Sequence, residues 1–330
     1  MDVFVAGGSG FVGRSLCRVL VDQGHDVTAA SRSPDPAELP AGVEPVAVDV
    51  TEPDLEAVVD GHDAVVNLVA LPSHVQSRGR SHESVHADGT RHLVEASERT
   101  GVRRFVQLSG LGVESGVETA YFRAKRRAER VVRESSLEWV IYRPSVVFGD
   151  GCAFVAFLER LAPTPIIVLP GGGRTLLQPI WVEELTPLIA DGLADDRHVG
   201  NAYEIGGPEA LTLAEVVTRV RDGVVVPIPM FLTGALAALA DPLPWIPLGR
   251  DQYRALSLEN TTDDDALAAF DVDPESLRRF SADVPSEAEI RAGASDERAT
   301  REGSAKQAVS ANRERRASRD RPDRDPEVGP

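Results

Sequence analysis

Short apolar runs alternate with amphipathic stretches over the first 150 residues. DVFVAGG (2–8) predicts a strand, and FVGRSLCRVLVDQG predicts a helix that stops at Gly24. HDVTAASR (25–32) and VEPVAVDV (43–50) predict the second and third strands. A short helix, LEAVVDG, and the strand DAVVNLVA (63–70) follow. The next long helix ends near Thr100-Gly101, and RRFVQLSG (103–110) is the fifth strand. Residues 118–135 carry a helical pattern, and LEWVIYRPS (137–145) is the sixth strand. Strands alternating with helices imply βαβ units and a doubly wound parallel sheet, an α/β, Rossmann-like fold.

Beyond residue 150 the pattern loosens through PTPIIVLPGGG, which suits a smaller substrate or partner region over 151–285. From about Ser286 apolar periodicity is lost and both charge signs mix, so 286–330 is expected to be a disordered tail. The expected division is therefore 1–150, 151–285 and 286–330. The run MFLTGALAALADPLPWIPL (230–248) is interrupted by Asp241 and three prolines. It is too short and too broken to span a bilayer, and reads as a buried helix plus loop. An apolar strand entered at Val3 leaves no room for a signal or transit peptide.

Directly after the first strand stands Gly7-Gly8-Ser9-Gly10-Phe11-Val12-Gly13. Gly7 permits a tight turn, Gly10 lets a pyrophosphate approach the backbone, and Gly13 lets helix and strand pack closely. The helix start then offers free N–H donors to phosphate. A glycine motif alone is weak, but the strand-to-helix context supports dinucleotide binding over a structural turn. The second strand ends in Ala29, Ala30, Ser31 and Arg32, without the carboxylate expected where ribose hydroxyls are bound. Arg32 can pair with a 2′-phosphate through its planar fork, so NADP(H) is expected over NAD(H). Asp49 and Val50, at the end of the third strand, are placed to meet an adenine ring.

Tyr121 and Lys125 are four apart on a predicted helix and share a face. A free phenol, with a pKa of about 10, is a poor acid–base group at neutral pH. A fixed ammonium stabilises its phenolate, so the tyrosine can exchange a proton with a substrate oxygen. The chain has two lysines, Lys125 and Lys306, and uses arginine elsewhere. A lysine retained here suits a compact ammonium that bonds ribose hydroxyls, a task a guanidinium fork fits poorly.

Composition narrows the partners. The net charge is −17, spread along the body, which argues against nucleic acid or an anionic membrane. Abundant Asp with almost no Lys points to a halophile's cytoplasm. Cys17 and Cys152 lack CxxC spacing and read as reduced core residues. His82 and His86, with His74 and His92 nearby, lack the carboxylate of a metal motif, so no metal is expected. Glu183 and Glu184, and Asp263 to Asp265, read as surface charge.

Together these motifs resemble the extended short-chain dehydrogenases/reductases. VHADGTRHLVEASERTGVRRFVQLSGLG (85–112), YRPSVVFGDG (142–151), QPIWVEEL (178–185), YEIGGPEALTLAEV (203–216) and DQYRALSLEN (251–260) narrow the resemblance. They resemble an atypical branch that contains the nucleotide-binding accessory subunit of respiratory complex I. The resemblance covers about residues 1 to 280. It implies that Leu68, Val69 and Ala70 pass near the cofactor and that Pro144, Ser145 and Val146 border the nicotinamide. It also implies Tyr121 and Lys125 as the catalytic pair, with Lys125 holding the ribose. The chain departs from the family pattern in two places. Leu111 stands where a catalytic Ser or Thr is usual, although Ser109 and Ser115 are near. His86 stands where many relatives have asparagine. Two readings follow: an NADP(H)-dependent oxidoreductase or epimerase acting on a small carbonyl or alcohol, or a non-catalytic NADP(H)-holding subunit of a redox complex. The expected location is cytoplasmic, peripheral at a membrane if a partner complex recruits it.

Overall fold

Side chains along Asp2–Ala6 (β1) point alternately to two cores. Val3 and Val5 pack on one side of a sheet, Phe4 and Ala6 on the other, and all four are fully buried. In this computed structural model β1 lies mid-sheet, as a strand buried on both faces must. The structure describes residues 1–71, 80–161, 165–229, 254, 258–263 and 266–281. The run 230–248, His74 and the expected tail from Ser286 lie outside the described residues.

Among the described residues the central sheet has seven strands. They are β1, β2 (Asp26–Ser31), β3 (Val43–Ala47), β4 (Ala64–Asn67), β5 (Arg104–Leu108), β6 (Glu138–Pro144) and β11 (Asn201–Ile205). Their order is β11-β6-β5-β4-β1-β2-β3, and each adjacent pair is parallel. The doubly wound parallel sheet expected from the sequence is present. On one face lie α1 (Phe11–Asp22) and α6 (Val182–Ala194), whose Leu16, Leu20, Leu185 and Ile189 meet Val3 and Val5. The other face is covered by α2 (Glu56–Val59), α3 (Gly89–Thr100) and α4 (Ala120–Glu134), through residues such as Val59, Leu93 and Val132. A single π-helical stretch, Glu83–Asp88, leads directly into α3.

Local chemistry sets the ends of these elements. Gly101, left-handed at φ 79°, terminates α3. Thr119 caps α4 by accepting from the Phe122 amide at 3.1 Å.

Apart from α6 and β11, which complete the central sheet and its cover, the described residues beyond β6 build small satellites. β7 (Val147–Phe148) pairs with β10 (Ile180–Trp181), and β9 (Leu176–Leu177) pairs with β12 (Leu211–Thr212). β8 (Ile166–Pro170) pairs in parallel with β13 (Val224–Ile228). α5 (Ala153–Leu161) and α7 (Leu213–Val220) lie among them, and α7 starts on a reciprocal Thr212–Glu215 capping box. Met1–Ala282 forms one compact unit. No described helix is long and apolar enough to cross a membrane.

Candidate functional site

Where β1, β2 and β4 end, the sheet leaves a cavity of about 590 Å³. This is the end of a doubly wound sheet at which ligands bind. Gly7 takes φ +85° to turn the chain out of β1, and a Cβ there would meet the Leu68 carbonyl carbon at 3.1 Å. A Cβ on Gly8 would lie 2.7 Å from that of Ala29. One on Gly10 would lie 3.1 Å from the Gly7 oxygen, and one on Gly13 would lie 2.2 Å from it. The glycines therefore allow strand, turn and helix to close upon one another. Gly10 caps α1 with no side-chain hydrogen bond, and the first turn carries no acid. The uncapped amides and the positive dipole end suit an anion.

Gly7, Ser9, Gly10, Phe11, Val12 and Gly13 line this cavity, with Arg32, Asp49, Val50, Leu68, Val69 and Ala70. Gly8 lies behind the turn, packed on β2. Arg32 is exposed and has no ion-pair partner among the described residues. Beside it the buried Oγ of Ser31 has no hydrogen-bond partner there. An orphaned hydroxyl, a free guanidinium and an uncapped helix start fit the ribose and phosphates of a dinucleotide. Burial pushes the Asp49 carboxyl up, but hydrogen bonds from Arg80 (2.5 Å) and Thr51 (2.8 Å) outweigh it and hold its pKa below the ordinary value.

A buried amide network fixes the end of β4. Asn67 donates to Thr90 Oγ1 and Gln107 Oε1, each at 3.0 Å, and accepts from the Val69 amide at 3.2 Å. It sets the path of Leu68 to Ala70 along the cavity. Sequence reasoning missed Asn67 and Arg80. A polar residue inside the apolar strand run DAVVNLVA was the available signal for Asn67. Arg80 carried no sequence signal, because Asp49 meets it only through the fold.

Tyr121 sits on the first turn of α4, half-buried. A Cβ on Gly110 would lie 3.0 Å from its hydroxyl, so the phenol meets the chain just past β5. Burial pushes its pKa up to about 12, and it holds its proton at neutral pH. The Lys125 ammonium lies 5.9 Å from the Tyr121 ring centre and donates to the Leu108 carbonyl at 2.9 Å. Leu108 itself lines the cavity. Burial lowers the Lys125 pKa to about 8, with Glu129 acting against the fall.

Two histidines flank the phenol. The His82 and His86 rings stand edge-on to Tyr121 at 5.6 and 5.5 Å and stack on one another. His86 is buried, its Nε2 lies 3.3 Å from the Leu71 amide, and its Nδ1 has no hydrogen-bond partner among the described residues. Burial, followed by the charge of Lys125, pushes its pKa down to about 2, so the ring is neutral. Leu111 is buried, its amide bonded to the Pro144 oxygen at 2.9 Å, and supplies no hydroxyl. The buried Ser109 Oγ lacks a hydrogen-bond partner among the described residues. Ser115 is exposed and bonds back to Gly112.

The structure does not bring Pro144, Ser145 or Val146 to the cavity wall. Ser145 Oγ is instead held by the Asn260 carbonyl at 2.9 Å and its side-chain oxygen at 2.7 Å. Asn260 also donates to the Leu111 carbonyl at 3.3 Å, tying the 258–262 strip to the ends of β5 and β6. Neither Cys17 nor Cys152 lines the cavity; both are buried, and burial pushes both thiols up. Among the described residues no group of three His, Cys, Asp or Glu could hold a metal ion.

A family model described as NAD(P)H-binding matches residues 7–151. The chain is similar to the mitochondrial NADH dehydrogenase [ubiquinone] 1 alpha subcomplex subunit 9 of Arabidopsis thaliana. They are 29% identical over 310 residues, covering 84% of this chain and 75% of that protein. It is also 29% identical over 257 residues to the 3 beta-hydroxysteroid dehydrogenase/Delta 5-->4-isomerase of Mycobacterium tuberculosis, covering 67% and 68%. Among solved structures it resembles MoeE5 in complex with UDP-glucuronic acid and NAD (TM-score 0.60, 23% identity, 69% of this chain and 86% of that one). It also resembles the UDP-glucuronic acid 4-epimerase of Bacillus cereus (TM-score 0.58, 18% identity, the same coverage of 69% and 86%). At these identities the structural likeness is one of fold.

Proposed function

We propose that this chain, which resembles the extended short-chain dehydrogenases/reductases and is homologous to the complex I subunit and to the hydroxysteroid dehydrogenases, is an NADP(H)-dependent oxidoreductase or epimerase of a small carbonyl or alcohol. The observation that carries this reading is the Tyr121–Lys125 pair, which does not line the cavity but is tied to it through the hydrogen bond from Lys125 to the cavity-lining Leu108. The glycine turn and the start of α1 would hold the pyrophosphate, Ser31 and Arg32 the adenosine ribose and its 2′-phosphate, and Lys125 the other ribose. The nicotinamide, when bound, supplies or accepts the hydride.

The chain's own part is proton handling. Tyr121 keeps its proton at neutral pH and is set to donate it to a substrate oxygen that gains negative charge. The Lys125 ammonium favours the phenolate that remains. Leu111 removes one hydroxyl donor from the expected substrate position, so Tyr121 carries more of that stabilisation. The 151–285 region is the proposed seat of substrate selection. The acid-rich, lysine-poor surface supports a high-salt cytoplasm.

Leu111 also favours a second reading, in which the chain holds NADP(H) without turnover as an accessory subunit of a redox complex. The Arabidopsis relative, matched over 84% of this chain, supports it. The rate at which NADP(H) leaves the purified protein in multimolar salt, with NAD(H) as comparison, separates a redox catalyst that trades cofactor from the accessory subunit and the epimerase. Rapid exchange with NADPH preferred is the expected result for a redox catalyst. A nucleotide retained through gel filtration supports the accessory subunit or an internally recycling epimerase. Failure to bind either nucleotide overturns both.

A further inference from the structure

One face of α4 carries Tyr121, Lys125 and Glu129 at successive intervals of four; Lys125 and Glu129 are buried and Tyr121 is half-buried. Glu129 is only 4% exposed, which is costly for a carboxylate unless it is paired. Its main partner is Arg143 on β6, itself 5% exposed, and Arg133 on α4 stands 3.6 Å from the same carboxylate. Arg143 grips it with two bonds, Nε to Oε1 at 3.0 Å and Nη2 to Oε2 at 2.6 Å. The same guanidinium reaches Glu114, beyond β5, and Glu204 on β11 at 3.5 Å. Thr262 in turn donates to Glu204 at 3.3 Å. One arginine thus fixes the carboxylate of α4 against two strands of the central sheet.

We infer that Glu129, clamped by Arg143, is a positioning residue whose negative charge keeps the buried Lys125 ammonium protonated. Lys125 lies in a site that disfavours its charge. It is 2% exposed, and its one hydrogen bond among the described residues goes to a neutral carbonyl. The charged and titratable groups around it come from several elements. Tyr121, Glu129 and Arg133 share its helix, His86 of the π-helical stretch and His82 just before it flank Tyr121, Arg143 stands on β6, and Glu114 follows β5. Of these, Tyr121 and the buried His86 are neutral near pH 7, and Arg143 opposes the lysine charge. Glu129, one helical turn away, is the carboxylate that acts on it most directly. The clamp matters because a free glutamate side chain could swing away or take up a proton. The bearing of this on cofactor binding and turnover rests on the reading of Lys125 given above.

The scarcity of lysine makes a direct test possible. Protein labelled with 13Cε-lysine shows two resonances, from Lys125 and Lys306, assigned with Lys306→Arg. In the wild type the Lys125 signal is expected to titrate near pH 8. In Glu129→Gln its midpoint should fall by about one pH unit, while Glu129→Asp should restore most of it. An unmoved midpoint in a folded Glu129→Gln protein overturns the inference. If that variant does not fold, Glu129→Met, which leaves Arg143 paired with Glu114 and Glu204, carries the same measurement, again with a lower midpoint expected. NADPH affinity at pH 8 is then compared between wild type and Glu129→Gln, with a loss of about fivefold expected from the smaller charged fraction. A shifted lysine titration with unchanged affinity supports the role of Glu129 and overturns only the assignment of Lys125 as cofactor anchor.

Discussion

Gly13 packs so closely beneath Gly7 that a Cβ on it would stand 2.2 Å from the Gly7 carbonyl oxygen. That contact is with backbone, so no side chain can yield to relieve it. Gly13→Ala is expected to destabilise the protein by about 1–3 kcal/mol, read from urea midpoints. Gly10 differs, because its Cβ would come no closer than 3.1 Å. Gly10→Ala should keep most of the stability and lose at least about tenfold in nucleotide affinity, since the methyl would occupy the pyrophosphate approach. Equal effects of the two substitutions on stability would contradict this division.

Arg32 is the guanidinium offered to a 2′-phosphate. Arg32→Ala should weaken NADPH binding by about tenfold or more, the worth of a charge-assisted bond. NADH affinity should stay within about twofold. Equal losses for both nucleotides, measured by calorimetry, would show that Arg32 does not read the phosphate.

Tyr121→Phe removes only a hydroxyl. Turnover of an identified substrate should fall by about 10²–10⁴, with cofactor affinity unchanged. A Tyr121→Phe protein that binds cofactor and still complements a deletion strain would remove the catalytic reading and leave the accessory one.

The pH dependence of binding has a definite sign. Burial lowers the Lys125 pKa to about 8, so the ammonium is present below that pH and lost above it. NADPH affinity should therefore fall as pH rises through about 8, and Lys125→Met should flatten that dependence. No limb from His86 is expected between pH 5 and 8, because burial holds its pKa at about 2.

Arg143 satisfies a buried carboxylate, so its loss should be costly. Arg143→Met is expected to destabilise by about 3 kcal/mol, because Glu129 would stay buried with only the partly exposed Arg133, at 3.6 Å, as its counter-charge. Multimolar salt should not rescue the stability, since the pair is shielded from ions. A loss below about 1 kcal/mol in denaturant melts would mean that Arg133 alone satisfies Glu129.

The six strands of the nucleotide half were legible because each is a bounded apolar run. The turn Gly7–Gly13 was legible because its spacing states its geometry. The third strand ends at Ala47, not Val50, since the chain leaves the sheet there to carry Asp49 and Val50 to the cavity. The satellites after residue 150 were not legible. β7, β9, β10 and β12 have two residues each, too few to show a period, and they exist through partners far along the chain. The Asp49–Arg80 pair and the hold of Asn260 on Ser145 were hidden for the same reason. The Tyr121–Lys125 spacing was plain, but the burial that sets their proton affinities depends on the histidines and the sheet around them.

The turn after β1 is fastened from below. The Gly7 amide donates to the Ala30 carbonyl at 2.7 Å, and the Gly8 amide donates to the same oxygen at 3.2 Å. The Gly8 amide is shared with the Val5 carbonyl at 3.1 Å, so the Gly7 proton meets solvent only when β1 and β2 part, and the Gly8 proton only when the turn opens as well. Their exchange with deuterium should be as slow as that of the core strands, unlike the exchange of ordinary loop amides. A loop held this way has little freedom left to lose when a phosphate arrives, so binding incurs almost no ordering entropy at this point.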